Sequence, residues 1–101
     1  MIFQVTVPPI AEEVEEIRIL EWHGEPGRAF RPGELLVEFE TYKVLVEVRA
    51  SQAGVLRRVL ASAGDWIRTG APIALFSDAP DEPLPDQVGD IADMAIEFLV
   101  D

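Results

Sequence analysis

Residues 27–39 read GRAFRPGELLVEF and residues 64–76 read GDWIRTGAPIALF, and the two stretches align without a gap at an offset of 37 residues. Gly27 falls on Gly64, Phe30 on Ile67, Arg31 on Arg68, Gly33 on Gly70, Leu36 on Ile73 and Phe39 on Phe76. Each copy runs glycine, turn, apolar residue, arginine, glycine, strand. The stretches just before them, around 17–22 and 55–60, are strand-like in both halves. Self-similarity at a fixed spacing signals one supersecondary unit used twice, its apolar face buried against its copy. Two units are too few for a solenoid and suit two small sheets packed face to face. The expected fold is all-β, a flattened barrel or sandwich with an internal quasi-twofold axis.

At the junction of the two copies lies GELLVEFETYKVLVEVRAS, residues 33–51. Leu35, Val37, Phe39 and Thr41 alternate along one arm, and Val44, Val46, Val48 and Ala50 along the other, which predicts a half-buried hairpin. Its tip is Tyr42-Lys43. Tight hairpin loops favour residues that tolerate positive φ, such as Asn-Gly or Asp-Gly, and Tyr-Lys supplies neither. Lys43 is also the only lysine, the other seven basic residues being arginine. The twofold repeat places the symmetry mate of this tip near the two termini of the domain.

A chain of 101 residues allows one domain, residues 1–77, plus an appendage, residues 78–101. Without cysteine there is no thiol catalysis, disulfide scaffold or zinc-thiolate site. One histidine cannot form a metal cluster by itself, so no metal ligands are assigned. There is neither a long apolar run nor a basic start followed by an apolar stretch, so no membrane span or signal peptide is expected, and a cytoplasmic protein is. Residues 1–77 carry eleven acids and eight bases, whereas residues 78–101 carry eight acids and no base. Nothing offers the basic surface that nucleic acid or an anionic membrane requires.

Outside the repeat, the alternation of residues 1–7 predicts a first strand ended by Pro8-Pro9. An acidic loop follows and leads into a strand over 16–23, with Trp22 as packing and His23 as a loop residue. Beyond Ser77, DAPDEPLPDQ reads as an extended, solvated linker. The last stretch, VGDIADMAIEFLVD, fits a short amphipathic helix capped by Asp90, with Ile91, Met94, Ala95, Phe98 and Leu99 on one face. It also fits a strand, because Met94, Ile96, Phe98 and Val100 alternate. The helix is preferred for its alanines and its early acids.

With the repeat and hairpin in place, EFETYKVLVEVRAS (38–51) followed by Gly54-Val55-Leu56 resembles the biotinyl/lipoyl attachment domain family in its lipoyl branch. That branch carries E-T-D-K on a hairpin, then an E-V strand, a small-residue turn and G-x-L. The likeness covers residues 3–77: Val7-Pro8 with Ile10 and Glu12 looks like the opening V-M-P-x-L-G-E, Ile19 with Trp22 like I-x-x-W, and Gly27 stands where the family has glycine. It implies two four-stranded sheets and a lipoic acid carried covalently on Lys43, swinging between active sites of a 2-oxo acid dehydrogenase-type complex. Glu40, Thr41, Tyr42 and Gly27 are implied in recognition by the attaching lipoate ligase or transferase and by dehydrogenase-complex subunits. No catalytic residue is expected in the domain, since the cofactor carries the chemistry. Tyr42 stands where the lipoyl branch has Asp. Biotin carriers flank the lysine with methionines, here Tyr42 and Val44, so biotin on Lys43 is the alternative cofactor.

A reading of another class is an unmodified binding module that docks a partner through its tail, with Ile91, Met94 and Phe98 as anchors. The chain lacks room for a catalytic acyltransferase domain, and its initiating Met1 and tail favour a stand-alone carrier over a fragment.

Overall fold

The computed structural model describes residues 1–41, 44–85 and 91–101. Ten strands run through them: β1 (Ile2–Thr6), β2 (Glu16–Trp22), β3 (Ala29–Phe30), β4 (Leu35–Glu40), β5 (Leu45–Ala50), β6 (Gly54–Val59), β7 (Trp66–Arg68), β8 (Pro72–Ser77), β9 (Ala92–Asp93) and β10 (Ile96–Val100). They form two five-stranded sheets, ordered β3-β6-β8-β1-β9 and β7-β2-β4-β5-β10. The four strands that residues 1–77 contribute to each sheet correspond pairwise under the repeat: β3 to β7, β6 to β2, β8 to β4 and β1 to β5.

The repeat is also written in the backbone. Among the described residues, the glycines with positive φ are Gly27 (103°), Gly33 (91°), Gly64 (96°) and Gly70 (89°), the two matched pairs of the alignment. A side chain is strained in that region, so the same turn is built twice by the same device. Between the sheets the alternating apolar residues close a core containing Val5, Ile17, Ile19, Val37, Phe39, Val46, Val48, Leu56, Ile73 and Phe76, all fully buried. Phe30 and Phe76 meet edge to face at 5.9 Å, a favoured aromatic geometry. The hairpin alternation is broken at one place. A bulge between Leu35 and Val37 lets Leu36 turn inward as well.

The C-terminal segment is not a helix over its described residues, 91–101. Residues 92–93 and 96–100 are strands: β9 lies parallel to β1, and β10 antiparallel to β5 with Ile96 opposite Ala50 and Val100 opposite Val46. The cause is unpaired backbone. A four-plus-four sandwich leaves rows of unpaired N–H and C=O groups along β1 and β5, and an isolated helix of about ten residues is marginal in water. As strands, the same residues fill those rows. Met94 N–H donates to Gln4 O at 2.8 Å, Ser51 N–H to Ala95 O at 2.9 Å and Asp101 N–H to Leu45 O at 2.8 Å. The proposed cap Asp90 lies outside the described residues.

Candidate functional site: the β4–β5 hairpin

Lys43 and Tyr42 lie outside the described residues, so the site is built from their flanks. Thr41 N–H donates to Val44 O at 3.0 Å, and Val44 N–H donates to Thr41 Oγ1 at 3.2 Å. These two bonds pin the arms together at the positions flanking Tyr42-Lys43. Thr41 is nearly buried, and the arms below it are anchored by Phe39 and Val46, both in the core. The symmetry mate falls where the repeat places it. Asp78 N–H donates to Met1 O at 3.3 Å, the counterpart of the Thr41–Val44 bond, at the two chain ends of the barrel.

Glu40 pairs with Arg18 across β2 and β4, Arg18 Nη1 donating to its carboxylate at 3.0 Å, with both side chains partly exposed. Gly27 belongs to the turn before β3, where its N–H donates to Leu56 O at 2.7 Å. Trp22 is a packing residue whose Nε1 donates to Ala61 O at 2.8 Å. Of the tail anchors, Met94 is buried in the chain's own core, against Gly54, and so is withdrawn from any partner. Ile91 is half-buried and Phe98 exposed.

Two grooves flank the hairpin at Thr41. One of about 270 Å³ is lined by Glu13, Val14, Glu15, Glu16, Thr41 and the exposed Trp66. The other, of about 180 Å³ and mostly apolar, is lined by Ile10, Ala11, Glu13, Val14, Thr41, Val44 and Val100. Neither was legible in the sequence, because their walls come from segments far apart along the chain. A third constellation was missed for the same reason. The β2–β4 register sets Glu21 opposite Glu38, and His23 Nε2 stands 2.6 Å from Glu38 Oε1. One ligand atom from each of Glu21, His23 and Glu38 lies within 4.8 Å of the others.

The profile of the family described as "Biotin-requiring enzyme", the biotin/lipoyl attachment family, matches residues 3–76, and the chain belongs to that family. The chain is 39% identical over 79 residues to the dihydrolipoyllysine-residue succinyltransferase component of the 2-oxoglutarate dehydrogenase complex of Bacillus subtilis, taking in 78% of this chain and 19% of that protein. The namesake component of Escherichia coli is 43% identical over 63 residues, 62% of this chain and 16% of its own. The chain thus spans about a fifth of the length of such relatives. Among solved structures it resembles the lipoyl domain of the 2-oxoglutarate dehydrogenase complex from Azotobacter vinelandii, with TM-score 0.65 and 29% identity over 75% of this chain and 96% of that one. Within the family, the likeness is to the lipoyl branch. The fold is that of a carrier domain, whereas the relatives are whole acyltransferase components.

Proposed function

We propose that this protein is a lipoyl carrier domain, with Lys43 as the attachment point, serving a 2-oxo acid dehydrogenase-type complex. The supporting observation is the hairpin: the sole lysine falls in the two-residue interval that the Thr41–Val44 bonds close, on arms rooted in the core, within the matched residues 3–76. The residues present suit such a group. A rigid support that offers one amine at a tight turn is what a tethered carrier needs, and a neutral, largely apolar arm meets an apolar groove at its base. When bound, lipoic acid supplies a dithiolane that accepts an acyl group and electrons together. The barrel itself contributes placement, holding the attachment point and keeping the tethered intermediate at high effective concentration near partner sites.

On this reading the domain is non-catalytic and cytoplasmic, and its partners are a lipoate ligase or transferase and the subunits of the complex. Glu40, Thr41, Tyr42 and Gly27 are the residues those partners read. The test is the intact mass of the protein purified from its native host. A lipoyl increment that disappears in Lys43→Arg is the expected result. An unmodified Lys43 sinks the proposal, and a biotin increment turns it into a carboxyl carrier.

A further inference from the structure

Residues 96–101 lie beyond the family match, which ends at residue 76, yet they reach the hairpin. β10 pairs along the whole of β5 and finishes with Asp101 N–H bonded to Leu45 O, two residues after Lys43. Val100 is thereby set as one wall of the mostly apolar groove that Ile10, Ala11, Glu13, Val14, Thr41 and Val44 also line. Thr41 and Val44 are also the residues that bracket the attachment point. Without β10 this side of the groove would be the bare edge of β5.

We infer that this groove is a resting site for the lipoyl arm of the same chain, completed by Val100. The inference rests on Lys43 being lipoylated. Three observations select this occupant. The tether starts between two of the lining residues, so the arm is present at high effective concentration while any free ligand must compete. The lining is mostly aliphatic, which suits methylenes and a dithiolane ring, and covering it removes from water the half-exposed Val100. The charge is wrong for an anion: Glu13 is part of the lining, Asp101 follows Val100, and the chain carries −11 overall. A neutral amide-linked arm meets no such repulsion. The groove therefore holds the arm between transfers, shields its disulfide from stray thiols and releases it when a partner site competes.

The test uses the full-length lipoylated protein and compares wild type, Val100→Glu and the conservative Val100→Ile. Three readouts are taken: intact mass, the methyl chemical shifts of Ile10, Val14 and Val44 with and without the lipoyl group, and the rate at which a water-soluble phosphine reduces the disulfide. Expected is a wild-type reduction rate about fivefold below that of free lipoamide, the protection given by a mostly occupied two-state site. Lipoylation should shift the three methyl signals. V100E should abolish both effects while its mass still shows the lipoyl increment, and V100I should keep both. Reduction at the free-lipoamide rate with unshifted methyls, in a protein whose mass carries the increment, overturns the resting site alone. Protection that fades on dilution overturns it too, since the arm would then sit on a second copy. A mass without the increment overturns the carrier reading itself and this inference with it.

Discussion

Gly27 carries two roles that a pair of substitutions can separate. Its φ of 103° needs a residue without Cβ, and so does that of its repeat mate Gly64 at 96°. A Cβ built at either position has nothing within 4 Å, so alanine meets only backbone strain there. Gly27→Ala and Gly64→Ala should each lower the unfolding free energy by about 1–2 kcal/mol in urea titrations. A recognition role for Gly27 then appears as a slower rate of lipoyl attachment in Gly27→Ala alone. Equal attachment rates in the two variants would leave Gly27 as a turn glycine. Glu40 can be handled likewise. Its partly exposed pair with Arg18 contributes under about 1 kcal/mol, so Glu40→Gln should barely move stability, and any drop in attachment rate reports recognition.

At the scale of elements, the tail shows how an open ladder outweighs local preference. Ala92 and Ala95 favour helix, and the apolar spacing permits it. The same stretch also alternates, however, and the edges of β1 and β5 provide partners for its backbone at 2.8–2.9 Å. Met94 makes the consequence measurable because it is only 4% exposed and lies against Gly54 and the core. Met94→Ala should cost about 2–3 kcal/mol of global stability. A docking anchor held out in solvent would instead lose partner affinity with little change in the denaturation midpoint, and that outcome would refute the strand packing.

Across the whole molecule, the quasi-twofold matches the Thr41–Val44 bond at one end of the barrel with the Asp78–Met1 bond at the other, and the chemistry of the two ends differs. One end carries the Thr41–Val44 closure beside Lys43, with Asp101 bonded to Leu45 nearby. The other carries the N-terminus, where the Met1 amine pairs with Asp78 at 2.7 Å and with Glu82. Hydrogen bonding to these two carboxylates raises the Met1 amine above its ordinary 8.0, and the bond from the amine lowers Asp78 below its ordinary 3.8. A raised amine contributes stability that is full below its unfolded value and fades as pH rises through the folded one. A lowered carboxyl contributes stability that is present above its unfolded value and fades as pH falls through the folded one. The clamp is therefore intact between about pH 4 and 8. Hydrogen exchange at the Asp78 amide should show its highest protection factor in that window, and Asp78→Asn should reduce it there. Both groups are exposed, so the global unfolding midpoint should move little.

Taken alone, the sequence determined the repeat, the two packed sheets, the glycine turns and the place of Lys43 between two alternating arms. Those features follow from local rules: side-chain alternation, the φ that only glycine tolerates, and a fixed offset between copies. Only the tertiary structure decided that the tail forms strands, that Met94 belongs to the core, that Glu21 and His23 meet Glu38, and that Val100 stands beside the hairpin. Each of these depends on which backbone edge lies free and which distant segment reaches it. A linear pattern read as helix or strand at similar merit carries no record of that competition, and the unpaired edges of β1 and β5 settle it.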